Sequence, residues 1–419
     1  MDVVVARCAG LDVHKDTVVA CVRTPGAEGD REVVTRTFGT MTVHLLALRD
    51  WLVASGVTLV GMESTGVYWR PIFYVLEDAM ECWLLNARHM RNVPGRKTDV
   101  ADAEWIAQLV EHGLVRPSFV PPPPIRELRT VTRYRKAQID ERSREAQRLD
   151  KVLQDAGIKL SSVASDILGK SGRDMLAALV GGTSDPEVLA ELARGRLRSK
   201  LAALAQALEG RFGPTHALVV GEILAHLDYL DEAVGRLSER VEEMMAPFAT
   251  KRDLLMTLPG VDRRVAEALV AETGGDMSRF SSAAHLASWA GMCPGQHESA
   301  GKSRSGRARH GNIWLQRHLA VAAMAAARTK GTYFAAQYAR LVRTRGKAKA
   351  RKAVGHSLLV AAWHILDGGV PYAELGEDWF ERRNSPERRA RRHLADLRSL
   401  GWAVTETDNG VLISPPAAA

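Results

Sequence analysis

Apolar and polar residues alternate in short runs through the first part of the chain, up to about residue 124. Five runs of β-branched and apolar residues predict strands: "CAGLDVHK", "DTVVACVRT", "EVVTRTFGT", "VTLVGMES" and "ECWLLN". Three stretches with helical spacing predict helices: "MTVHLLALRDWLVASG", "VYWRPIFYVLEDA" and "TDVADAEWIAQLVEHG". We expect the last helix to begin at Thr98 as N-cap and to end at Gly113.

These elements follow the order of three strands, helix, strand, helix, strand and helix, and the first two strands are close enough in the chain to form a hairpin. That is the order of the ribonuclease H-like fold, so we predict an α/β domain of this fold over residues 1–124. In this fold the first strand, the fourth strand and the last helix meet at one edge of the sheet.

A helical pattern replaces the alternation after four consecutive prolines, residues 121–124, which predict a stiff spacer. Residues 125–250 are almost wholly helical in character, with two apolar stripes among the charges. The stripes are Leu128, Val131, Ile139, Leu149 and Val152, and Leu227, Leu230, Val234, Leu237 and Val241. They predict a long antiparallel helical arm that forms a dimerisation coiled coil. The alternative is a helical bundle packed on its own chain.

The third segment, residues 251–370, is predicted to be mainly α-helical and opens with "LLMTLPGVDRRVAEALVAETGG". Two helices around "LPGV" form a helix-hairpin-helix pattern, whose turn can offer N–H groups to a phosphate. A plain helical hairpin is the alternative. In the tail, residues 371–419, Asn409 and Gly410 predict a hairpin turn. No motif in the tail indicates a function.

Composition adds charge to this picture. The net charge of +8 and the pI of about 9.4 favour a polyanionic partner. The four cysteines are scattered without a C-x-x-C pair, which argues against a zinc site and against a disulfide framework. The N-terminus lacks the layout of a signal peptide, and no apolar run approaches a membrane span. We therefore expect a cytoplasmic protein that makes no contact with membranes.

The positive charge is concentrated late in the chain. From Ser299 to Leu366 there is no Asp or Glu, while the same span holds fourteen Lys and Arg. A solvated helical face normally mixes the two signs, so this segregation predicts contact with nucleic acid.

Four carboxylates occupy the edge where the predicted fold brings its elements together. Asp12 lies within the first strand, where a charge is costly unless something compensates it. Glu63 ends the fourth strand, and Asp99 and Asp102 share one face at the start of the last helix. Together they predict a site for Mg²⁺, with Mn²⁺ as an alternative. Taken singly, the helix pair could cap the helix and Glu63 could be a solvated strand end.

A serine-rich basic loop, "HESAGKSRSGRARHGN" over residues 297–312, holds three serines and one carboxylate, Glu298. Such a loop can cradle a phosphate, and one of its serines could attack it if a separate group polarised the target. On the loop alone, the choice among Ser299, Ser303 and Ser305 stays open.

Three segments resemble the catalytic motifs of DEDD-motif insertion-sequence transposases, which are relatives of the Piv DNA invertase and include the bridge-RNA-guided recombinases. They are "GLDVHK", "MESTGVYWRP" and "NARHMRNVPGRKTDVADA". "LPGVDRRVAEALVAETG" and "FSSAAHLASWAGMCPGQHESAGKSRSGRARHGNIWLQRHL" resemble the C-terminal domain of the same family. The resemblance runs from about residue 7 to 365 and leaves the tail outside.

The resemblance implies a RuvC-like catalytic domain, a coiled-coil middle and a serine nucleophile, which its motif places at Ser299. Metal held by Asp12, Glu63, Asp99 and Asp102 would polarise the phosphate. The expected nucleic-acid contacts are Lys97, Lys302, Arg304, Arg307 and Arg309. The expected partners are donor and target DNA duplexes, a structured bridge RNA and further copies of the chain, as a dimer or tetramer.

Two other classes of function stay open on the sequence. One is a metal-dependent RuvC-like nuclease or Holliday-junction resolvase that uses water, with Ser299 only binding phosphate. The other is a catalytically inactive scaffold that binds nucleic acid. Neither is expected to form a covalent link to DNA, whereas a serine recombinase must.

Overall fold

A computed structural model describes residues 2–27, 30–63, 66–86, 101–295, 298–299, 302–303, 308, 310–383, 386–407 and 410–415. At positions 101, 298–299, 302–303, 388–389, 406–407 and 410 only the backbone is described. The chain divides into two compact units, Met1–Val120 and Pro121–Ala419. In the described part of the chain, no helix has a stretch long and apolar enough to cross a bilayer.

A five-stranded mixed sheet organises the first unit. Its strands are β1 (Cys8–Val13), β2 (Thr17–Pro25), β3 (Arg31–Gly39), β4 (Leu59–Glu63) and β5 (Glu81–Leu85). They lie in the order β3-β2-β1-β4-β5; β1 and β3 run antiparallel to β2, while β4 runs parallel to β1 and β5. The predicted mixed α/β domain is thereby confirmed, and its strand order is consistent with a RuvC-like domain.

Among the described residues of this unit, three helices pack on the sheet: α1 (Thr42–Ala54), α2 (Trp69–Leu76) and α3 (Ala101–Glu111). One face of the sheet, with Leu11 of β1 and Met62 of β4, forms a core with α1 and α2. The residues that alternate with these along each strand, such as Cys8 and Leu59, lie on the other face of the sheet and pack against α3. Because side chains alternate along a strand, the face of every residue on β1 and β4 follows from these two clusters.

The second unit is helical, as predicted. Its helices are α4 (Pro123–Asp155), α5 (Leu160–Val163), α6 (Lys170–Val180), α7 (Pro186–Glu191), α8 (Leu201–Leu208), α9 (Pro214–Met245), α10 (Ala249–Leu255), α11 (Arg263–Thr273), α12 (Ala283–Trp289), α13 (Ile313–Ala326), α14 (Tyr333–Gly368), α15 (Trp379–Arg383) and α16 (Pro386–Ser399). Two short hairpins complete it: β6 (Glu298–Ser299) with β7 (Lys302–Ser303), and β8 (Ala403–Thr407) with β9 (Gly410–Ser414).

The long helices α4 and α9 lie antiparallel in one chain. Arg142 pairs with Asp231, while Glu145 accepts a hydrogen bond from His226 at 2.8 Å, so residue numbers rise on one helix as they fall on the other. The predicted stripe on α9 is covered within the chain, since Leu227 and Val241 are 0% exposed. A coiled coil between two chains stays a prediction.

The proline run departs from the predicted spacer. Helix α4 begins at Pro123 with Pro122 as its N-cap, so Pro123 and Pro124 belong to its first turn. Proline is tolerated there because the first N–H groups of a helix have no intrahelical partner, and its fixed φ suits the helix.

The tail forms the predicted hairpin, with the turn one residue earlier than expected. Gly410 pairs with Thr407 as the first residue of β9, so the connecting residues are 408–409, which lie outside the described residues. The hairpin packs against α16.

Candidate active site

Asp12 and Glu63 face the same side of the sheet at the same end of two neighbouring strands. The parallel pairing of β1 with β4 aligns Leu11 with Met62, and Asp12 and Glu63 are the next residues along. Adjacent strands lie about 4.8 Å apart. Asp12 is four residues after Cys8 and Glu63 is four residues after Leu59, so both carboxylates lie on the same face as these residues, the face that packs against α3.

Helix α3 approaches this end of the sheet closely because two glycines lie beneath it. A Cβ added to Gly10 would come within 2.2 Å of the Ala103 carbonyl oxygen, and one added to Gly61 within 2.5 Å of Val110. Gly10 is two residues before Asp12 on the same face, and Asp102 precedes Ala103. The first turn of α3 therefore brings Asp102 to the side of the sheet that carries Asp12.

Asp12 has a histidine as its nearest polar neighbour. The Oδ2 of Asp12 lies 3.0 Å from Nε2 of His14, whose side chain is 58% exposed, whereas that of Asp12 is only 14% exposed. A mostly buried carboxylate at a strand end is costly without such a partner. His14 is such a partner for Asp12.

The far end of α3 is fixed by an ion-pair cluster that the sequence did not suggest. Glu111 is 1% exposed, accepts a hydrogen bond from Arg23 Nε at 2.8 Å and forms an ion pair with Arg31 Nη2 at 2.5 Å. These arginines come from β2 and β3, so the cluster connects the helix to both strands.

The Cys8 thiol lies near this cluster. Burial, reinforced by the charge of Glu111, raises the pKa of that thiol to about 12, so it stays protonated.

The oxygen-rich character of this edge fits a hard divalent ion, since its donors are carboxylates. Within the described residues, however, no three His, Cys, Asp or Glu side chains stand close enough together to hold an ion. The fourth expected ligand, Asp99, lies outside the described residues, as does Lys97. The structure thus brings Asp12, Glu63 and Asp102 to one edge without completing a coordination shell.

The serine loop contains a short hairpin in the second unit. Ser299 pairs with Lys302 across the turn, and Glu298 pairs with Ser303. A further bridge between Pro294 and Ala308 marks its base. Only the backbone is described at Ser299 and Lys302, and Arg304, Arg307, Arg309 and Ser305 lie outside the described residues.

A buried carboxylate anchors the end of this loop. Asn312 caps α13 by accepting the Leu315 N–H at 3.0 Å, and its Nδ2 donates to Glu272 at 2.5 Å. Glu272 is 1% exposed and receives Arg133 through two hydrogen bonds of 2.7 and 2.8 Å. Residues of α4, α11 and the loop end therefore meet at one point, so these interactions hold the last residue of the loop.

The electrostatics of Glu272 explain why this anchor is stable. Burial raises the pKa of the carboxyl, but the hydrogen bonds from Arg133 and Asn312 and the charges of Arg129 and Arg133 outweigh it and leave the pKa below its usual range. The role of Glu272 is not visible in the sequence, because its partners are 139 and 40 residues away in the chain. A Glu inside an apolar helical stretch was the one available signal.

Exposed basic side chains lie on the helical segment that follows. Arg343, Arg345, Lys347, Lys349 and Arg351 are all exposed. By contrast, Arg317 lies over the Trp314 ring at 5.3 Å and reaches Asp140 at 3.6 Å. The part of the chain without Asp or Glu, residues 299–366, therefore presents a cluster of solvent-facing cations, and its contact with nucleic acid stays a prediction.

Two segments of the chain match models of transposase families. Residues 9–158 match the DEDD transposase model of IS110 elements, and residues 252–339 match the model described as "Transposase IS116/IS110/IS902 family". Together the two models cover more than half of the chain. Both matched segments include the sequence motifs singled out above, with Asp12, Glu63, Asp99 and Asp102 in the first and Ser299 in the second.

A relative in Streptomyces coelicolor is named "Mini-circle putative transposase for IS117". It is 34% identical to this chain over 117 residues, which are 28% of this chain and 27% of the relative. The match thus spans about a quarter of that protein's length.

Proposed function

The chain belongs to the IS110 family of transposases, and we propose that it cuts and rejoins DNA strands with Ser299 as nucleophile and a carboxylate site at the edge of the sheet. The observation that carries the proposal is the common face of Asp12 and Glu63 beneath a helix whose first turn bears Asp102. A structural sheet edge has no need of three carboxylates there, since each is costly to desolvate.

The carboxylates fit a divalent metal by the chemistry of their donors. Asp12, Glu63, Asp99 and Asp102 would hold it, and the DEDD family model supports dependence on such an ion. When bound, the metal would act as a Lewis acid on a phosphate oxygen. Mg²⁺ is the ion that we propose, because it prefers oxygen ligands of this kind.

Ser299 would perform the strand exchange. Its Oγ gives up a proton to a base, forms a bond to phosphorus and displaces a deoxyribose oxygen, which takes up a proton. The product is a phosphodiester between the serine and the DNA end. A hydroxyl of a second strand then attacks the same phosphorus and releases the serine, so the strands rejoin without an external energy source. Lys302 and Arg304 would stabilise the charge on the phosphorane.

The substrates that we propose are a donor and a target DNA duplex. The exposed cations at 343–351 supply the sequence-independent attraction to phosphates that such binding needs. Arg307, Arg309 and Lys97 are proposed as further contacts. We also propose a structured bridge RNA as guide and an assembly of two or four chains, since two duplexes must be held at once.

Detection of a covalent adduct tests the proposal. Labelled DNA is incubated with the protein and Mg²⁺, denatured and run on a denaturing gel, and the adduct peptide is identified by mass spectrometry. The expected result is DNA esterified to Ser299. Free cleaved ends without any adduct would instead support the hydrolytic nuclease.

A further inference from the structure

A cavity of about 720 Å³ opens beside the base of the serine hairpin. Pro294 and Ala308, whose bridge marks that base, form part of its wall. The rest of the wall comes from Met292 and from α14. The volume lies in the range of small-molecule and cofactor sites, about 300–1,000 Å³. The two chain segments that lead to Ser299 therefore begin at the rim of this cavity.

The cavity exists because α14 is two helices folded back on each other. The Nε2 of Gln337 donates to the Ser357 Oγ at 2.9 Å, although the residues are 20 apart in sequence. In a continuous helix they would be about 30 Å apart. The reversal occurs at Gly346, where φ is 78° and ψ is 165°, a conformation that only glycine adopts without strain.

The wall of the cavity combines three kinds of chemistry. Arg345 and Lys349 are exposed cations on either side of the reversal, and Lys352 donates to Gln316 at 2.9 Å. Met292 is a buried apolar surface, 4% exposed. Gln337 is 9% exposed, and its Oε1 has no hydrogen-bond partner among the described residues. Burying an acceptor without a donor is unfavourable, so a ligand that donates to it would stabilise the site.

We propose that this cavity binds one unpaired nucleotide of the strand that Ser299 attacks. The base would lie against Met292 and Ala353 and donate an N–H to Gln337 Oε1, while Arg345 and Lys349 would hold the flanking phosphate. An apolar wall with a few polar groups and cations at the mouth is what recognition of an extruded base requires. The inference rests on the proposed function, because it assigns the nucleotide to the reacting strand.

His356 fits this assignment. Burial lowers the pKa of its imidazole below the ordinary value, so the ring is neutral at pH 7 and can donate to a base or accept from it. A cavity built for a phosphate alone would instead be expected to keep its histidine protonated. The wall therefore suits a base as well as a phosphate.

Binding of defined oligomers to the full-length protein tests the proposal. The probes are a fluorescent 12-nucleotide single strand of thymidylate and an oligomer of the same length whose sugars carry no bases. The variants are Gln337→Leu, which removes the acceptor and the hydrogen bond to Ser357 at similar size, and Ala353→Phe, which fills the cavity. Lys347→Ala is the control, because Lys347 is exposed on the same segment but does not line the cavity.

Each lining variant is expected to weaken binding of the intact strand about tenfold and to leave binding of the base-free oligomer nearly unchanged. Lys347→Ala should weaken both oligomers alike, since it removes only charge. Equal effects of Gln337→Leu on the two oligomers, or no effect on either, would overturn the proposal. Thermal unfolding of each variant identifies a folding defect, and Gln337→Leu keeps the test decisive if Ala353→Phe fails to fold.

A uridylate strand with the same design identifies the source of the nucleotide. Greater sensitivity of the thymidylate strand to Gln337→Leu supports the DNA strand, whereas sensitivity of the uridylate strand alone would overturn that assignment in favour of the RNA. All binding is measured in EDTA. The result therefore does not depend on whether Ser299 forms an adduct, and failure of this inference is distinguishable from failure of the proposed function.

Discussion

Gly10 and Ala103 are in direct backbone contact, since a Cβ on Gly10 would lie 2.2 Å from the Ala103 carbonyl oxygen and 2.3 Å from the Ala107 nitrogen. The atoms that would be struck belong to a helix backbone and cannot rotate away. Any side chain at residue 10 must therefore move α3, and with it Asp102, relative to Asp12. The position of the proposed catalytic edge depends on this contact.

Gly10→Ala is expected to reduce cleavage about 100-fold, the effect of misplacing a reacting group by about 1 Å. It should also lower the free energy of unfolding by about 1–3 kcal/mol through overpacking. Chemical denaturation and a cleavage assay measure the two effects. Gly235→Ala is the control, because its added Cβ meets open space within a helix and should be neutral or slightly stabilising. Wild-type cleavage by Gly10→Ala would show that the contact does not position the site.

The carboxylates should be required for strand cleavage but not for folding. Asp12→Asn and Asp102→Asn are each expected to reduce cleavage at least about 100-fold, since a neutral amide is a poor ligand for a hard ion. DNA binding should change little. Glu104→Gln is the matched control on the same turn of α3, because Glu104 is 45% exposed and lies 3.7 Å from Arg23. Full cleavage activity in EDTA would contradict the metal assignment.

Ser299→Ala should abolish both the covalent adduct and recombination while leaving DNA binding intact, because it removes one hydroxyl and no charge. Ser303→Ala and Ser305→Ala should only weaken activity, since each loses at most one neutral hydrogen bond, roughly 0.5–1.5 kcal/mol net. Ser299→Cys is expected to retain no more than trace activity, because the larger, softer sulfur suits Mg²⁺-assisted transfer poorly. Denaturing gels of labelled DNA measure all four variants. An adduct that persists in Ser299→Ala, or maps to Ser303 or Ser305, would overturn the assignment.

Glu272 should make stability depend on pH on the acid side. Because its pKa is lowered in the folded protein, its contribution is fully present above the unfolded pKa of about 4.3 and is lost as the pH falls through the folded value. Glu272→Gln should cost about 3–5 kcal/mol at pH 7, the usual effect of breaking a buried pair. Unfolding followed from pH 7 to pH 3 should show a smaller loss in the variant than in the wild type.

The control for that experiment is Glu232→Gln, since Glu232 is 73% exposed and its pair with Arg236 is on the surface. It should unfold like the wild type at every pH. If Glu272→Gln kept the stability of the wild type at pH 7, the anchor at the end of the serine loop would have no energetic role.

Recombination is expected to require a structured RNA. Purified protein treated with RNase should lose recombination of two DNAs in the presence of Mg²⁺, and addition of transcripts from the DNA flanking the gene should restore it. The physical ground is the basic segment 299–366, whose fourteen Lys and Arg without any Asp or Glu make a larger basic surface than one DNA site is expected to need. Recombination from protein, metal and two DNAs alone would exclude the RNA.

Local patterns in the sequence determined the elements of the first unit and the residues at its edge. Alternating β-branched runs predicted all five strands, because the period of a strand and the position of its breakers are local properties. Asp12 was identified because a charge within an apolar strand is anomalous without any knowledge of its neighbours, and Glu63 because it ends the fourth strand at the edge where the predicted fold brings its elements together. The family motif assigned the nucleophile to Ser299. That role, and the position of its hydroxyl group, stay predictions.

Tertiary structure decided what depends on residues distant in the chain. Glu272 became an anchor only when Arg133 and Asn312 were brought to it, and Gly346 became a chain reversal although the sequence around it continues a helical pattern. Likewise, Gly10 is one of many glycines until α3 packs on it. Propensity and periodicity act over a few residues, whereas burial, ion pairing and backbone contact are properties of the folded chain. For that reason the candidate catalytic residues could be named from the sequence, whereas the residues that hold them in place could be identified only in the folded structure.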